Sequence, residues 1–406
     1  MTDPRPGAVL FVDDEPLLLQ GLQRMLRSQR EVWAMRFAGS GREALALLAQ
    51  ETCDVLVTDL RMPGMSGEEL LRTVKERYPQ LVRIILSGEM ESAASFTAVQ
   101  CAHRYLAKPC EAQELTSALS QALALRRWVE AQPLKSLLAR IESLPSLPEL
   151  YAKLLAEIQS PTSSVRRVGE IVARDVGMTA KILQIVNSAF FGLPRRVVNA
   201  QDAVALLGYD TLKALVLSSK IFSQFDAKRI RCLNLEALWQ HSMRAGVFAR
   251  AIAVSEKMAR ASQDEAFTAA MLHDIGKLVL AQNFPEECAD VAAEAAEGER
   301  SPAQIEQMRF GASHAELGAY LLGLWGIGEG VVDAVARHHH LFQDSGSGEL
   351  AAAVCGANAL EHLLAGEPVR PAGADPVGSG RSCPGELLGR WEQVCRPLHL
   401  QEADHV

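Results

Sequence analysis

Short apolar runs alternate with amphipathic helical stretches through the first third of the chain, and this alternation restricts the fold more than any other feature. Ala8 to Val12 is uninterrupted apolar sequence, as a parallel strand buried on both faces requires. Met35 to Ala38, Val55 to Thr58, Ile84 to Leu86 and Tyr105 to Ala107 repeat the pattern. Between them, Pro16 to Gln29 carries leucines at helical spacing, and Gly41 to Gln50 is rich in alanine and leucine. Five βα units in succession predict a doubly wound, parallel five-stranded α/β sheet.

Beyond this region the strand signals stop. Glu114 to Trp128 reads as one long helix that Pro133 kinks or ends. The stretch from Ala131 to Ser136 is the expected boundary. From there the chain is helical pattern punctuated by turn residues, including Leu144-Pro145-Ser146-Leu147-Pro148, Gly192-Leu193-Pro194, Gly208 and Gly298. The reading is an α/β domain over 1–131 and an all-α domain over 132–364. A tail over 365–406 follows, with a Gly/Pro-rich loop and a helix near Glu386 to Cys395. A length of 406 residues fits two or three such domains.

Composition excludes some function classes. The formal net charge of −8 argues against broad nucleic-acid binding, which needs a basic face to displace counterions. No basic recognition helix is evident, so a DNA-binding regulator ranks last among the readings. The eight cysteines include no Cys-x-x-Cys pair and lie in apolar or helical contexts, as reduced thiols do. The N-terminal residues lack an apolar signal core and no apolar run is long enough for a bilayer, so no membrane partner and a cytoplasmic location are expected.

Polar residues stand where the apolar runs end. Asp13 and Asp14 follow the first strand, Asp59 the third, Ser87 the fourth and Lys108 the fifth. The carboxyl ends of the strands in a doubly wound sheet line its ligand crevice, so five scattered positions converge on one site. Three carboxylates suit Mg²⁺, a hard cation that takes oxygen ligands. Asp59 is placed to attack a phosphoryl group as nucleophile, Lys108 to neutralise an oxygen and Ser87 to donate a hydrogen bond. Taken singly, each residue has a plainer role: an Asp pair can start a helix, and Asp59 before Met62-Pro63-Gly64 can form a turn. The five together favour phosphoryl chemistry.

This region resembles the receiver domain of two-component response regulators. The resemblance rests on Val9 to Pro16, on Asp54 to Gly67 (Asp-Val-Leu-Val-Thr-Asp-Leu-Arg-Met-Pro-Gly-Met-Ser-Gly), on Ile84 to Gly88 and on Tyr105 to Pro109. It implies a flavodoxin-like fold, Mg²⁺ held by Asp13, Asp14, Asp59 and the carbonyl of Arg61, and phosphorylation of Asp59 by a sensor histidine kinase. It also implies a switch in which Ser87 and Tyr105 move together, and a cis peptide at Lys108-Pro109.

The second constellation is made of histidines. Six of the ten fall between His241 and His340. His273-Asp274 interrupts an otherwise apolar stretch, Ala266 to Leu280, read as one helix. An adjacent His and Asp in a buried helix need partners. His241 precedes them; His314 and His338-His339-His340 follow. Imidazoles with a carboxylate can ligate Fe, Mn or Zn, and a metal-bound water can hydrolyse a phosphoester. A structural account is also open: His273 and Asp274 can pair with Lys277, His314 can start a helix, and the triple histidine can end one.

The helical region looks like an HDOD domain, a relative of the HD phosphohydrolases. The match rests on Leu144 to Pro148, Asp175 to Leu183, Asn187-Ser188-Ala189-Phe190-Phe191-Gly192 and Ala203 to Gly208. That resemblance implies a regulatory, non-catalytic output domain that has lost the superfamily's metal ligands. Here, however, His241, His273, Asp274, His314, His338 and His339 follow the order and approximate spacing of ligands in HD-type phosphohydrolases. Against turnover, Leu341 to Gly346 lacks the Gly-Tyr-Pro signature of the cyclic di-GMP hydrolases, and Asn358 stands where a last aspartate ligand is usual. The expectation is a response regulator whose output domain acts through a protein partner or a second copy of the chain. A phosphorylation-regulated, metal-dependent phosphohydrolase is the alternative.

Overall fold

The computed structural model describes residues 7–87, 101–130, 134–141, 144–145, 148–160, 162–186, 197–225, 230, 232–298, 300–339, 348–365 and 385–403. Asn187 to Gly192, His340 to Gly346, the 131–133 segment of the expected boundary and the expected loop over 366–380 lie outside the described residues. The chain falls into two compact units. The first holds 1–132 with 146–159 and 323–326; the second holds 133–145, 160–322 and 327–406.

The first unit is built on five parallel strands, β1 (Gly7–Val12), β2 (Trp33–Ala38), β3 (Val55–Thr58), β4 (Val82–Ser87) and β5 (Arg104–Ala107). Their order in the sheet is β2-β1-β3-β4-β5. All four pairings are parallel. Helices α1 (Pro16–Met25), α2 (Gly41–Gln50), α3 (Gly67–Arg77) and α4 (Ala112–Glu130) alternate with them among the described residues. This is the flavodoxin-like doubly wound arrangement, whose crevice opens where the winding reverses, between β1 and β3. The apolar content of the strands follows from position. β1 and β3 are central and buried on both faces, whereas β2 at the edge is half-buried along its middle. Phe11 of β1 stacks on Phe37 of β2 at 5.1 Å between ring centroids.

Local sequence sets the helix starts. Ser40 caps α2 by accepting from the Glu43 N–H. Ser66 and Glu69 form a reciprocal capping box at the start of α3. The stretch Pro16 to Gln29 is helical only to Met25 and continues as a short 3-10 turn over Arg27–Gln29.

The remaining described elements are all helices. They are α5 (Leu134–Arg140), α6 (Glu149–Gln159), α7 (Val165–Ala173), α8 (Val176–Val186), α9 (Ala200–Phe222), α10 (Leu235–Ser255), α11 (Arg260–Leu272), α12 (Ile275–Asn283), α13 (Pro285–Glu297), α14 (Pro302–Phe310), α15 (His314–Leu324), α16 (Glu329–Arg337), α17 (Glu349–Leu364) and α18 (Gly385–Ala403). In the second unit α10 is central and packs against α11, α17 and α18, while α11 also meets α9 and α16. Phe248, Ile252, Phe267 and Leu278 are buried there. Among the described residues no helix is long and apolar enough to cross a membrane.

One expectation needs correction. Ala266 to Leu280 is not a single helix. It breaks at His273-Asp274, where Asp274 takes φ −96° and ψ 7°, and a new helix begins at Ile275. Apolar periodicity continues across the break because both helices face the same core, so periodicity alone hides it.

Gly67, the first residue of α3, lies against the backbone of Asp59. A Cβ there would stand 1.9 Å from the Asp59 carbonyl oxygen. Gly67→Ala is therefore expected to destabilise the first unit by about 1–3 kcal/mol through overpacking. An unchanged urea midpoint for that unit would contradict the close approach.

Candidate functional site

The carboxyl ends of β1, β3 and β5 bring their following residues together. Asp13 extends the β1 ladder by donating its N–H to the Ala38 carbonyl at 3.2 Å, and its Oδ1 accepts from the Glu15 N–H at 2.9 Å. Asp59 donates its N–H to the Val12 carbonyl at 3.0 Å, while its Oδ1 accepts from the Leu60 N–H at 2.7 Å. Lys108 reaches between them, with Nζ 2.8 Å from Asp13 Oδ2 and 3.1 Å from Asp59 Oδ2. Asp13, Asp14 and Asp59 each place one carboxylate oxygen within 4.8 Å of the others. This all-oxygen donor set fits Mg²⁺.

The electrostatics follow from that geometry. Burial disfavours the Lys108 ammonium, but its hydrogen bond to Asp13 and the charge of Asp59 prevail, and its pKa is raised. Tyr105 is pushed up to about 12 by burial and by the negative charge of Asp59. Ser87 ends β4 and pairs with Ala107 in the register. Its side chain lies outside the described residues. The Lys108-Pro109 peptide is cis.

The second unit gathers the histidines around Asp274, which is 2% exposed. The helix break described above turns His273 and Asp274 inward together. Gly276 allows α15 to approach, since a Cβ at that position would lie 2.0 Å from the His314 carbonyl oxygen. Around Asp274 Oδ2 stand His241 Nε2 at 3.6 Å, His273 Nε2 at 3.5 Å and Lys277 Nζ at 2.7 Å. Around Oδ1 stand His314 Nε2 at 3.3 Å and His338 Nε2 at 3.8 Å. His339 Nε2 lies 2.9 Å from His314 Nε2. All six residues predicted from the sequence thus meet in one cluster.

The outer ring nitrogens fix the tautomers. His273 Nδ1 is 2.6 Å from the Ala270 carbonyl, and His338 Nδ1 is 2.7 Å from the Val335 carbonyl. A carbonyl cannot donate, so both Nδ1 atoms carry hydrogen and both Nε2 atoms present lone pairs. His241 Nδ1 meets Glu361 Oε2 at 2.5 Å and His314 Nδ1 meets Glu306 Oε2 at 2.6 Å, so in each pair the carboxylate accepts from the Nδ1–H. His241 Nε2 and His273 Nε2 face each other at 3.2 Å. Asp274 Oδ1, His338 Nε2 and Asn358 Oδ1 are buried without a hydrogen-bond partner among the described residues. The centre is rich in acceptors and poor in donors, the condition a cation relieves. Nitrogen donors with one carboxylate fit Fe, Mn or Zn.

Protonation does not supply the missing donors for most of these rings. Burial drives His273 down to about 4 and holds His338 and His339 well below the usual imidazole value. His314 moves the other way: burial opposes its cation, but the charge of Glu306 outweighs it. Burial would raise the pKa of Asp274, yet the charges of His273 and Lys277 and the contact with His314 hold it well below the usual carboxylate range.

Glu306, Glu361 and Arg244 belong to this cluster but were absent from the sequence reading. Arg244 donates twice to Glu361 Oε1, at 2.8 and 2.6 Å. Glu361 did leave a signal: it is a charge within the apolar helix α17, three residues after Asn358 and so on the same face. Glu306 left none, because only the fold brings α14 to the start of α15.

Glu361 supplies a pH test. Burial raises its pKa, but His241 and Arg244 pull it from 4.5 down to about 2. A carboxylate depressed on folding contributes stability that is complete above its unfolded pKa and lost as pH falls through the folded one. With metal chelated, the stability of the second unit should decline between about pH 4.5 and pH 2. Glu361→Gln should flatten that decline by up to about 3 kcal/mol. Equal acid-unfolding curves for both proteins would remove Glu361 from the network.

Comparison with known proteins agrees with the two-part geometry. Residues 9–120 match the response regulator receiver domain family, and residues 144–341 match the HDOD domain family. An uncharacterized protein of Treponema pallidum is 27% identical over 214 residues, 51% of this chain and 39% of that protein. The hydrogenase transcriptional regulatory protein HoxA of Cupriavidus necator is 33% identical over 187 residues, 42% of this chain and 37% of that protein. The chain spans about two-fifths of the length of these curated relatives. The crystal structure of an HDOD domain protein of unknown function from Geobacter sulfurreducens aligns with a TM-score of 0.50 at 23% identity, covering 68% of this chain and 95% of that one. At that identity the likeness concerns the fold alone.

Proposed function

Because the chain joins a response regulator receiver domain to an HDOD domain, we propose that Mg²⁺-dependent phosphorylation of Asp59 by a sensor histidine kinase controls a regulatory helical output. The observation that carries this reading is the Lys108 ammonium held between Asp13 and Asp59 at the strand ends, beside Asp14. Asp13, Asp14, Asp59 and the Arg61 carbonyl would hold the cation. When bound, Mg²⁺ neutralises phosphoryl oxygens. A carboxylate oxygen of Asp59 attacks phosphorus, the phosphorus–nitrogen bond of the phosphohistidine breaks, and an acyl phosphate forms. Lys108 moves from pairing two carboxylates to pairing one with the new phosphoryl group. Ser87 and Tyr105 respond as the switch. The signal leaves along α4, which follows the Lys108-Pro109 segment directly, by a shift between two populated arrangements.

We take 1–131 as the input domain, 132–364 as the output domain and 365–406 as its tail. The output domain acts on a protein partner or on a second copy of the chain. His241, His273, Asp274, His314, His338 and His339 would hold Fe, Mn or Zn there. The hydrolase reading draws on the same cluster. It is disfavoured by Asn358, whose neutral amide adds no charge to the donor set, and by the absence of a Gly-Tyr-Pro signature after the triple histidine.

Two measurements test this. Asp59→Asn should abolish labelling of the chain by acetyl phosphate with Mg²⁺, and labelling that persists would refute the phosphoacceptor assignment. Elemental analysis of the purified full chain should find Fe, Mn or Zn, with no cleavage of cyclic di-GMP or of p-nitrophenyl phosphate. Metal together with turnover would replace the regulatory output with the hydrolase.

A further inference from the structure

We infer that Glu306 and Glu361 are positioning residues for metal binding at the histidine centre, each holding one imidazole as the Nδ1–H tautomer and strengthening its Nε2 as a donor. This rests on the proposal that the centre holds a metal, and it adds residues that neither the sequence spacing nor the family resemblance points to.

The geometry is specific on three counts. Both carboxylates are buried, at 5% exposure for Glu306 and 2% for Glu361. Each meets an outer ring nitrogen, His314 Nδ1 at 2.6 Å and His241 Nδ1 at 2.5 Å. Each is also tied down by a second contact. Glu361 is held by Arg244, and Glu306 accepts the His314 backbone N–H at 2.7 Å. A carboxylate so fixed orients the ring and raises its basicity, as the outer partners of metal-ligating histidines commonly do.

The two glutamates act on opposite sides of Asp274. His241 stands with His273 beside Oδ2, and His314 stands with His338 beside Oδ1. Each oxygen therefore has one carboxylate-backed imidazole and one backed by a main-chain carbonyl. The glutamates also supply negative charge that Asn358, one turn before Glu361 on α17, does not.

The experiment uses the full-length chain, stripped of metal and titrated with Co²⁺ against a competing chelator. Wild-type protein should bind Co²⁺ and show ligand-field absorption in the visible. Glu306→Gln and Glu361→Gln should each weaken binding about 10–100-fold and shift that absorption, while the metal-free variants still melt cooperatively. If a glutamine variant fails to fold, Glu306→Asp or Glu361→Asp, which keeps the charge, takes its place with the same readouts. Metal binding and spectra equal to wild type, with only the metal-free melting temperature lowered, would make the glutamates structural ion-pair partners and overturn the inference while leaving the metal centre standing. Failure of the wild-type chain to bind Co²⁺ would overturn the metal centre and this inference with it.

Discussion

The Lys108 ammonium lies 2.8 Å from Asp13 and 3.1 Å from Asp59, and that one arrangement depends on three strands at once. Asp13 is placed by β1, Asp59 by β3 and Lys108 by β5, so a slip of any strand by one residue would send its side chain to the opposite face. The parallel register of β1 with β3, of β3 with β4 and of β4 with β5 prevents this. Gly67 secures the arrangement from the helix side, because α3 can start against the Asp59 backbone only where no Cβ intervenes. The apolar strands, the capping box at Ser66 and the glycine thus serve a single requirement. Carboxylates drawn close together out of water need positive charge between them.

The helical unit meets the same requirement with different chemistry. Its central carboxylate, Asp274, is more deeply buried than Asp59 and faces four imidazoles and one ammonium. The lysine answers one oxygen only. On the other side, Asp274 Oδ1 and His338 Nε2 find no hydrogen-bond partner among the described residues, and burial disfavours the His338 cation. In the first unit Lys108 supplies positive charge to both carboxylates at once. On the Oδ1 side of the histidine centre the nearest group that favours a positive charge is His314, at 3.3 Å, and no lysine or arginine among the described residues pairs with that oxygen, so the geometry leaves room for a metal to supply the charge.

Much of this was legible in the sequence, and the gaps have physical causes. The five strands and their polar terminal residues were readable because parallel strands buried on both faces must be continuously apolar, so each charge after one marks its end. The six metal-ligand candidates were readable because histidine is uncommon in apolar helices. The break at His273-Asp274 was hidden, since both flanking helices present apolar residues to one core. Glu306 was hidden for another reason. It is eight residues from His314 in the chain, joined to it only by the turn between α14 and α15, and a Glu in an ordinary helix carries no mark of burial. Glu361 was legible in principle as a charge in an alanine-rich helix, but its partner His241 lies 120 residues away.

The charges of the histidine centre also bear on whether it turns anything over. Three carboxylates, Asp274, Glu306 and Glu361, stand against Lys277 and Arg244. Most of the negative charge therefore sits behind the imidazoles, where it strengthens nitrogen donors. A catalytic metal site keeps an open position for water or substrate and tunes that water's acidity, whereas a structural site is closed by protein ligands. Here imidazoles from four helical segments crowd both oxygens of one aspartate, and the neutral amide of Asn358 is a poorer ligand than a carboxylate would be. The donor set suits holding an ion, and on the proposed reading that ion would tie α10, the end of α11, the start of α15 and the end of α16 together. If the domain is the regulatory output proposed above, the glutamate-backed histidines would give it a rigid centre, because Glu361 and Glu306 each fix one imidazole through Nδ1.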